Sequence, residues 1–310
     1  MKKRPENGSG YPLNQSPLFR LQTKRKLAAL FGLKEKELLS LASRNDNYRV
    51  FQIQKNGPKP RTVEEPKPHL ERIHRRLFVL LSRVAPPNYL HSGVKGRSYV
   101  TNASAHIGGG KLIKLDIKQF FPSTKAWHVF DFFHHVMDCS SDTAGVLASL
   151  CTCNGHVPTG SCLSQVLAYY AHYEMFERIY HIVQDEGANM TCYVDDITIS
   201  GDAANRRLLS RIRKMILMRA LQSHKHRIYR VGRPALVTGV IINGGGTELP
   251  KKRHKKIFEG YQAVLSEQDP SARKKKIESL LGRVNAATQI DGSLTVKRKQ
   301  LAAQLRADVK

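Results

Sequence analysis

Apolar and polar positions along the 310-residue chain change period several times, and each period predicts an element. From Leu18 to about Ser43 the residues Leu27, Leu30, Phe31, Leu38, Leu39 and Leu41 recur at helical spacing. Tyr48 to Ile53 alternates as a strand does, Lys55 to Pro60 reads as a turn, and Arg61 to Glu64 as the returning strand. Pro68 to about Val84 predicts an amphipathic helix, with Leu70, Ile73, Leu77, Leu80 and Leu81 on one side and Arg72, Arg75 and Arg76 on the other. Tyr99 to Gly110 is a polar stretch closed by three glycines and reads as a loop. Lys111–Ile117 is a strand carrying Asp116, and residues 124–138 predict a helix capped by Ser123 or Thr124. The loop Val157–Gln165 leads into a helix reaching about Gln184, whose tyrosines at 169, 170, 173 and 180 suit core and interface.

Cys192 to Ser200 alternates β-branched and aromatic residues on either side of Asp195 and Asp196, which predicts a hairpin with both carboxylates at its tip. A basic helix with Arg206, Arg207, Arg211, Arg213 and Lys214 follows over 203–222; Ser223 to Arg227 reads as a loop and Val237 to Ile242 as a strand. From Lys251 to Lys310 the apolar residues Ile257, Tyr261, Val264, Leu265 and Ile277, Leu280, Leu281, Val284 predict about three helices. That segment holds fifteen Lys and Arg against six Asp and Glu, suited to gripping phosphates. Residues 1–16, rich in Gly, Pro, Asn and Ser, are expected to be mobile.

Composition sharpens this picture. With 51 Lys and Arg against 25 Asp and Glu, the formal net charge of +26 points to a polyanionic partner, most simply nucleic acid. A hydrophobic content of 41% is enough for a packed core and excludes a disordered basic tail. The five cysteines are odd in number and lack a disulfide-framework spacing; Cys151, Cys153 and His156 lack the paired spacing of a zinc site. Reduced thiols, and no apolar run long enough to span a membrane, lead to the expectation of a cytoplasmic protein without a membrane partner.

Chemistry gathers on three carboxylates. Adjacent carboxylates repel unless a cation lies between them, and Mg²⁺ suits an all-oxygen site. Asp195 and Asp196 alone could be an ordinary turn between strands; Asp116 upstream supplies the third carboxylate of a two-metal site. On the residues themselves, the reading is a metal-dependent nucleotidyl transferase with a basic surface.

The string Tyr193-Val194-Asp195-Asp196, preceded by Asp116 and Phe120-Phe121-Pro122-Ser123, resembles the palm of a reverse transcriptase. Asn102-Ala103-x-x-His106 ahead of Asp116, with Val237-Thr238-Gly239 behind the aspartates, resembles in order and position the signature of retron reverse transcriptases, a group II intron-like lineage. This resemblance implies an α+β right-hand polymerase fold. Its parts would be a flexible N-terminus over 1–16, N-terminal helices and fingers over 17–110, a palm with an antiparallel sheet over 111–245, and a small helical thumb over 246–310.

It also implies roles. Asp116, Asp195 and Asp196 would be catalytic and hold two Mg²⁺ ions, with the carbonyl of Ile117 as a further ligand. Arg61 and Lys55 would hold the triphosphate of a dNTP, and Phe121 would pack under the sugar and select deoxynucleotides; one of Phe120 and Phe121 should be core. Thr159 and Gly160 lie in the loop expected near the nucleotide, with Thr159 where the family usually has Gln. Lys225 would be a proton donor to pyrophosphate, a phosphate contact or a solvated side chain. Asn102, His106, Val237, Thr238 and Gly239 fall in regions tied to RNA recognition.

The implied activity is RNA-directed DNA synthesis on a cognate structured noncoding RNA (msr-msd), primed from an internal guanosine 2′-hydroxyl. The product would be branched RNA–DNA (msDNA), serving antiphage defence with an effector protein encoded nearby. Two other readings share part of the pattern: another group II intron-like reverse transcriptase, or an RNA–DNA-binding scaffold that restrains a toxic effector.

Overall fold

The computed structural model describes residues 10–54 and 60–307, so Lys55 and the rest of its predicted turn through Lys59 lie outside the described residues. The chain opens on a 3-10 turn at Leu13–Gln15. Residues from Gly10 on are packed rather than free: Tyr11 exchanges main-chain bonds with Arg83 and Ala85, and its hydroxyl donates to the Leu80 carbonyl. The predicted helical stretch after Leu18 is two helices, α1 (Lys24–Leu30), capped by Thr23, and α2 (Glu35–Ala42). A two-stranded ribbon, β1 (Tyr48–Ile53) and β2 (Arg61–Pro66), precedes α3 (Pro68–Leu81), whose leucine side is buried.

The segment read as a polar loop is instead a helix, α4 (Tyr99–Ser104). Ser98 caps it and Thr101 closes the capping box, which satisfies the first amides of a helix too polar to show a long apolar period.

Next come β3 (Leu112–Ile117), a single turn α5 (Phe120–Ser123) and α6 (Ala126–Asp131), the last running into a π-helical turn at Phe132–Val136. Lys125, rather than Ser123 or Thr124, occupies the N-cap of α6. After α7 (Ser141–Cys151), the helix predicted to reach Gln184 is broken at His172 into α8 (Ser164–Ala171) and α9 (Tyr173–Asp185). Tyr169 and Tyr170 are in the core, as expected.

The central sheet has the order β4–β5–β3–β6, all antiparallel, from β4 (Asn189–Tyr193), β5 (Asp196–Ser200), β3 and β6 (Ser223–Tyr229). Helix α10 (Arg206–Met218) joins β5 to β6. Ser223–Arg227, expected as a loop, is the start of edge strand β6, which pairs with β3 through an irregularity between Lys114 and Asp116. Period-two alternation divides the sheet faces. Ile113, Leu115 and Ile117 of β3, with Ile197 and Ile199 of β5, are fully buried in the main core. Lys114 and Asp116, Thr198 and Asp196, and Thr191 and Tyr193 alternate with them on the opposite, polar face.

The strand predicted over Val237–Ile242 is in fact two, β7 (Ala235–Val237) and β8 (Val240–Asn243), joined at Thr238–Gly239 and extended by β9 (Gly246–Glu248). This small sheet shares a second core with α11 (Lys251–Leu265), α12 (Pro270–Thr288) and α13 (Thr295–Ala307). The architecture is α+β, as expected. Among the described residues no helix is long and apolar enough to cross a membrane.

Candidate nucleotidyl-transfer site

Register builds the site. Asp116 of β3 stands directly opposite Asp196 of β5 on one side and His224 of β6 on the other, so one rung of the sheet crosses two carboxylates and an imidazole. Like charges opposite each other in a ladder are destabilising, so this rung is not there for stability. The β4–β5 connection is a two-residue turn, Val194–Asp195, closed by the Tyr193–Asp196 pair. Asp195 is therefore at the tip, whereas Asp196 opens the strand and does not share it. Val194 has φ of 59°, a left-handed conformation unfavourable for a β-branched residue, and the Ser92 hydroxyl accepts its N–H at 2.9 Å. The Asp195 carbonyl accepts the Ile117 N–H at 2.9 Å, fixing the tip against β3.

The carboxylates are half-buried and lie within an excess of their own charge. Burial first, and then the Asp116 carboxylate, push Asp195 up to about 6. Asp196 is also raised, by burial acting against the pull of Lys114. Lys114 Nζ lies 3.4 Å from Asp196 Oδ1, within ion-pair reach but outside hydrogen-bond geometry, so that buried oxygen has no hydrogen bond. His224 Nδ1 stands 3.0 Å from Asp116 Oδ1, and the exposed Lys225 ammonium 4.0 Å from Asp116 Oδ2.

Among the described residues no three or more His, Cys, Asp or Glu side chains are gathered as a ready-made metal cage. The donor chemistry nevertheless fits a hard cation: three carboxylates in one neighbourhood, two with raised proton affinity, and one buried oxygen without a hydrogen bond.

A cleft of about 770 Å³ opens over Asp195 and Asp196. Arg61 of β2, Phe121, Thr159 and the Thr238–Gly239 turn all line it, so elements far apart in sequence converge there. Phe120 and Phe121 sit on the short helix α5, not a strand, which follows the left-handed Gln119. As expected one of the pair is core: Phe120 is buried against His172 and Phe176, and Phe121 faces the cleft. Thr124 Oγ1 donates to the Phe120 carbonyl and meets His172 Nε2 at 3.1 Å, which ties α5 to the core.

Thr159 spends its hydroxyl on the Thr62 carbonyl at 2.8 Å, and Gly160 N–H donates to the Glu64 carbonyl. The bare Cα of Gly160 is needed against β2, since a Cβ would come within 2.7 Å of that carbonyl oxygen. Gly160 and Lys225 do not line the cleft itself.

Asn102 and His106 are buried side chains with internal contacts. His106 bonds Ser200 Oγ at 2.8 Å and Thr191 Oγ1 at 2.7 Å, covering the polar sheet face beyond the cleft. Asn102 Nδ2 reaches Thr238 Oγ1, which itself donates to the Tyr99 carbonyl. The Asn102–His106 and Val237–Gly239 strings thus meet in space; Val237 is core, and of these five residues Thr238 and Gly239 line the cleft. Direct contact of Asn102 or His106 with a ligand is closed off by burial.

Sequence reasoning missed Lys114 and His224. Lys114 precedes Asp116 by two residues and so had to share its face, a signal available from period-two alternation. His224 gives no such signal, because the charged run Ser223–Arg227 lacks the apolar alternation of a strand.

No protein-family model matches the chain. It is 31% identical over 179 residues to the retron Se72 reverse transcriptase of Salmonella heidelberg, covering 57% of this chain and 47% of that protein. Identity to the retron Mx162 reverse transcriptase of Myxococcus xanthus is 27% over 274 residues, covering 76% and 56%. Identity to the retron Ec48 reverse transcriptase of Escherichia coli is 25% over 302 residues, covering 89% and 73%. The chain thus spans about half the length of the first two relatives. Among solved structures it is similar to a foamy viral protease–reverse transcriptase in complex with double-stranded DNA, at 14% identity and a TM-score of 0.47, over 98% of this chain and 51% of that one. By these sequence matches the chain is a homologue of the retron reverse transcriptases.

Proposed function

We propose that the chain is a retron-type RNA-directed DNA polymerase whose active site is the Asp116–Asp196 rung with Asp195 at the adjacent turn. The observation that carries this reading is the register itself: it sets Asp116 directly opposite Asp196, and Asp196 with Asp195 lines a cleft shared with Arg61 and Phe121. Divalent ions, Mg²⁺ by the all-oxygen chemistry of the donors, would be held by Asp116, Asp195 and Asp196, with the Ile117 carbonyl as a further ligand. When bound, two such ions lower the pKa of a reacting hydroxyl and stabilise a leaving pyrophosphate.

The chain's own groups supply the rest. Arg61 binds the triphosphate of a dNTP through its fixed fork of donors, and Lys55 is assigned the same partner. Phe121 presents an aromatic wall that leaves no room for a ribose 2′-hydroxyl. Thr159 and Gly160 act by docking their loop on β2, which shapes the nucleotide side of the cleft. Lys225, exposed beside Asp116, would contact phosphate or donate a proton to the leaving pyrophosphate. Asn102, His106 and Val237 serve RNA recognition through the backbone they hold, with Thr238 and Gly239 as its exposed part.

The template is a cognate structured noncoding RNA, priming uses an internal guanosine 2′-hydroxyl, and branched RNA–DNA made in the cytoplasm acts with a nearby effector in antiphage defence. The test is extraction of nucleic acid bound to protein purified from cells carrying the native flanking DNA, beside an Asp195→Asn/Asp196→Asn variant. A short DNA that shifts after RNase or debranching treatment, absent from the variant, supports the full reading. Unbranched DNA from the wild type alone keeps the polymerase and removes the retron type. RNA alone in both samples favours a scaffold.

A further inference from the structure

Away from the carboxylate cleft, and sharing no lining residue with it, a groove of about 580 Å³ runs between α2 and α3. Leu41 and Ile73 are its buried floor, and Phe31 and Leu33 are partly exposed beside them. Lys36 and Arg44 from one side face Arg72 and Arg76 from the other.

Acidic partners are distributed unevenly around it. Lys67 pairs with Asp46, and Arg75, on the same helix as Arg72 and Arg76, pairs with Glu71. Among the described residues Lys36, Arg44, Arg72 and Arg76 have no carboxylate within ion-pair distance, and Glu37 is the one acid lining the groove. The Glu37 carboxylate already accepts the Lys34 N–H at the start of α2. Both walls are anchored: Leu38 and Leu41 bury α2, while His74 of α3 bonds Ser161 Oγ at 2.6 Å and the Leu150 carbonyl at 2.8 Å. Four exposed cations carried by two anchored elements, over a partly apolar floor, suit a flexible polyanion.

We propose that this groove is a second nucleic-acid contact of the chain, binding the phosphate backbone of a single strand. Arg44, Arg72 and Arg76 would clamp phosphates through their planar forks. The partly exposed ring of Phe31 would take a base, since stacking on an aromatic face tolerates any sequence. An acidic peptide would use the cations but not the ring, which is why a nucleic acid is favoured. The inference adds a subsite for the partner named under the proposed function, and its test is separable from that reading.

The test uses the full chain and labelled single-stranded RNA and DNA oligonucleotides of one sequence, titrated across salt. The variants are Arg44→Gln/Arg72→Gln/Arg76→Gln and, as control, Arg75→Gln. Loss of three phosphate contacts lowers the slope of log K against log salt by about 2 and weakens binding roughly 10- to 100-fold near 0.1 M salt. Extension of a short preformed primer–template duplex stays at the wild-type rate, because the carboxylate cleft is untouched. Equal losses for RNA and DNA identify backbone recognition; a larger loss for RNA adds recognition of the 2′-hydroxyl; both support the groove. A triple variant indistinguishable from Arg75→Gln overturns it, as does unchanged oligonucleotide binding with lost binding of polyglutamate, which would make the surface a protein contact. If the wild type extends no primer, the proposed polymerase fails, while the salt slopes still judge the groove.

Discussion

Replacing His106 with Leu separates what this buried imidazole contributes to folding from what titrates with pH. His106 is 3% exposed, and its two ring nitrogens are spent on Ser200 Oγ and Thr191 Oγ1. Leu is of similar bulk and leaves both hydroxyls unpaired, which costs about 2–4 kcal/mol near neutral pH. Burial first, and then the field of His91, lower its pKa from 6.5 to about 3. Between those values the unfolded chain takes a proton that the folded chain refuses, so this contribution is complete above the unfolded pKa and is lost as pH falls toward the folded one. Integrated from about pH 7.5 to about pH 5, the loss is about 2 kcal/mol. His106→Leu lacks that titration, whereas the other buried histidines, His74, His128 and His172, remain in both proteins and cancel in the difference. Urea denaturation at the two pH values should therefore show the gap between wild type and variant narrowing by about 2 kcal/mol in acid. A gap that is the same at both pH values would refute the assignment of a neutral, buried His106.

Other outcomes follow from single contacts. Asp195→Asn should reduce DNA synthesis by at least about 1,000-fold. In metal-free buffer the same change should raise unfolding stability by about 1 kcal/mol, because it removes a desolvated charge beside Asp116 and Asp196. Phe121→Ala, opening the cleft wall, should admit ribonucleotides; competition between a dNTP and the matching rNTP in primer extension measures the lost discrimination. Gly160→Ala forces a Cβ to 2.7 Å from the Glu64 carbonyl oxygen, so thermal unfolding should reveal a loss of about 1–3 kcal/mol.

Much of the central sheet was legible because one period governs it. The alternation in Leu112–Ile117 fixes which side chains are core, and the same parity sends Lys114 and Asp116 to the polar face. The Asp195–Asp196 hairpin was legible in kind but misplaced by one residue at its tip, because Val194 takes a left-handed turn position that β-branched residues normally avoid. A similar departure hid the Thr238–Gly239 turn: Thr238 has φ of 44° and is held there by its bond to the Tyr99 carbonyl, a tertiary contact without local signal. Helix α4 was lost because its length gives no amphipathic period, although the Ser98–Thr101 capping box was in plain view. Burial of Asn102 and His106 could not be foreseen, since polar residues are ordinarily exposed and their partners lie about a hundred residues away in the chain. The edge strand β6 was obscured by its charges, which an edge tolerates and a central strand would not.

The central claim is that the carboxylate rung performs templated DNA synthesis. The most direct measurement is extension of a labelled primer on a defined RNA template with dNTPs and Mg²⁺, using the wild type beside Asp116→Asn, Asp195→Asn and Asp196→Asn, each first shown to be folded. The account predicts template-dependent extension by the wild type, at least about a 1,000-fold loss in each variant, and abolition by chelation of the metal. Extension that persists in the folded variants, or a wild type that binds the duplex and adds no nucleotide, would contradict it.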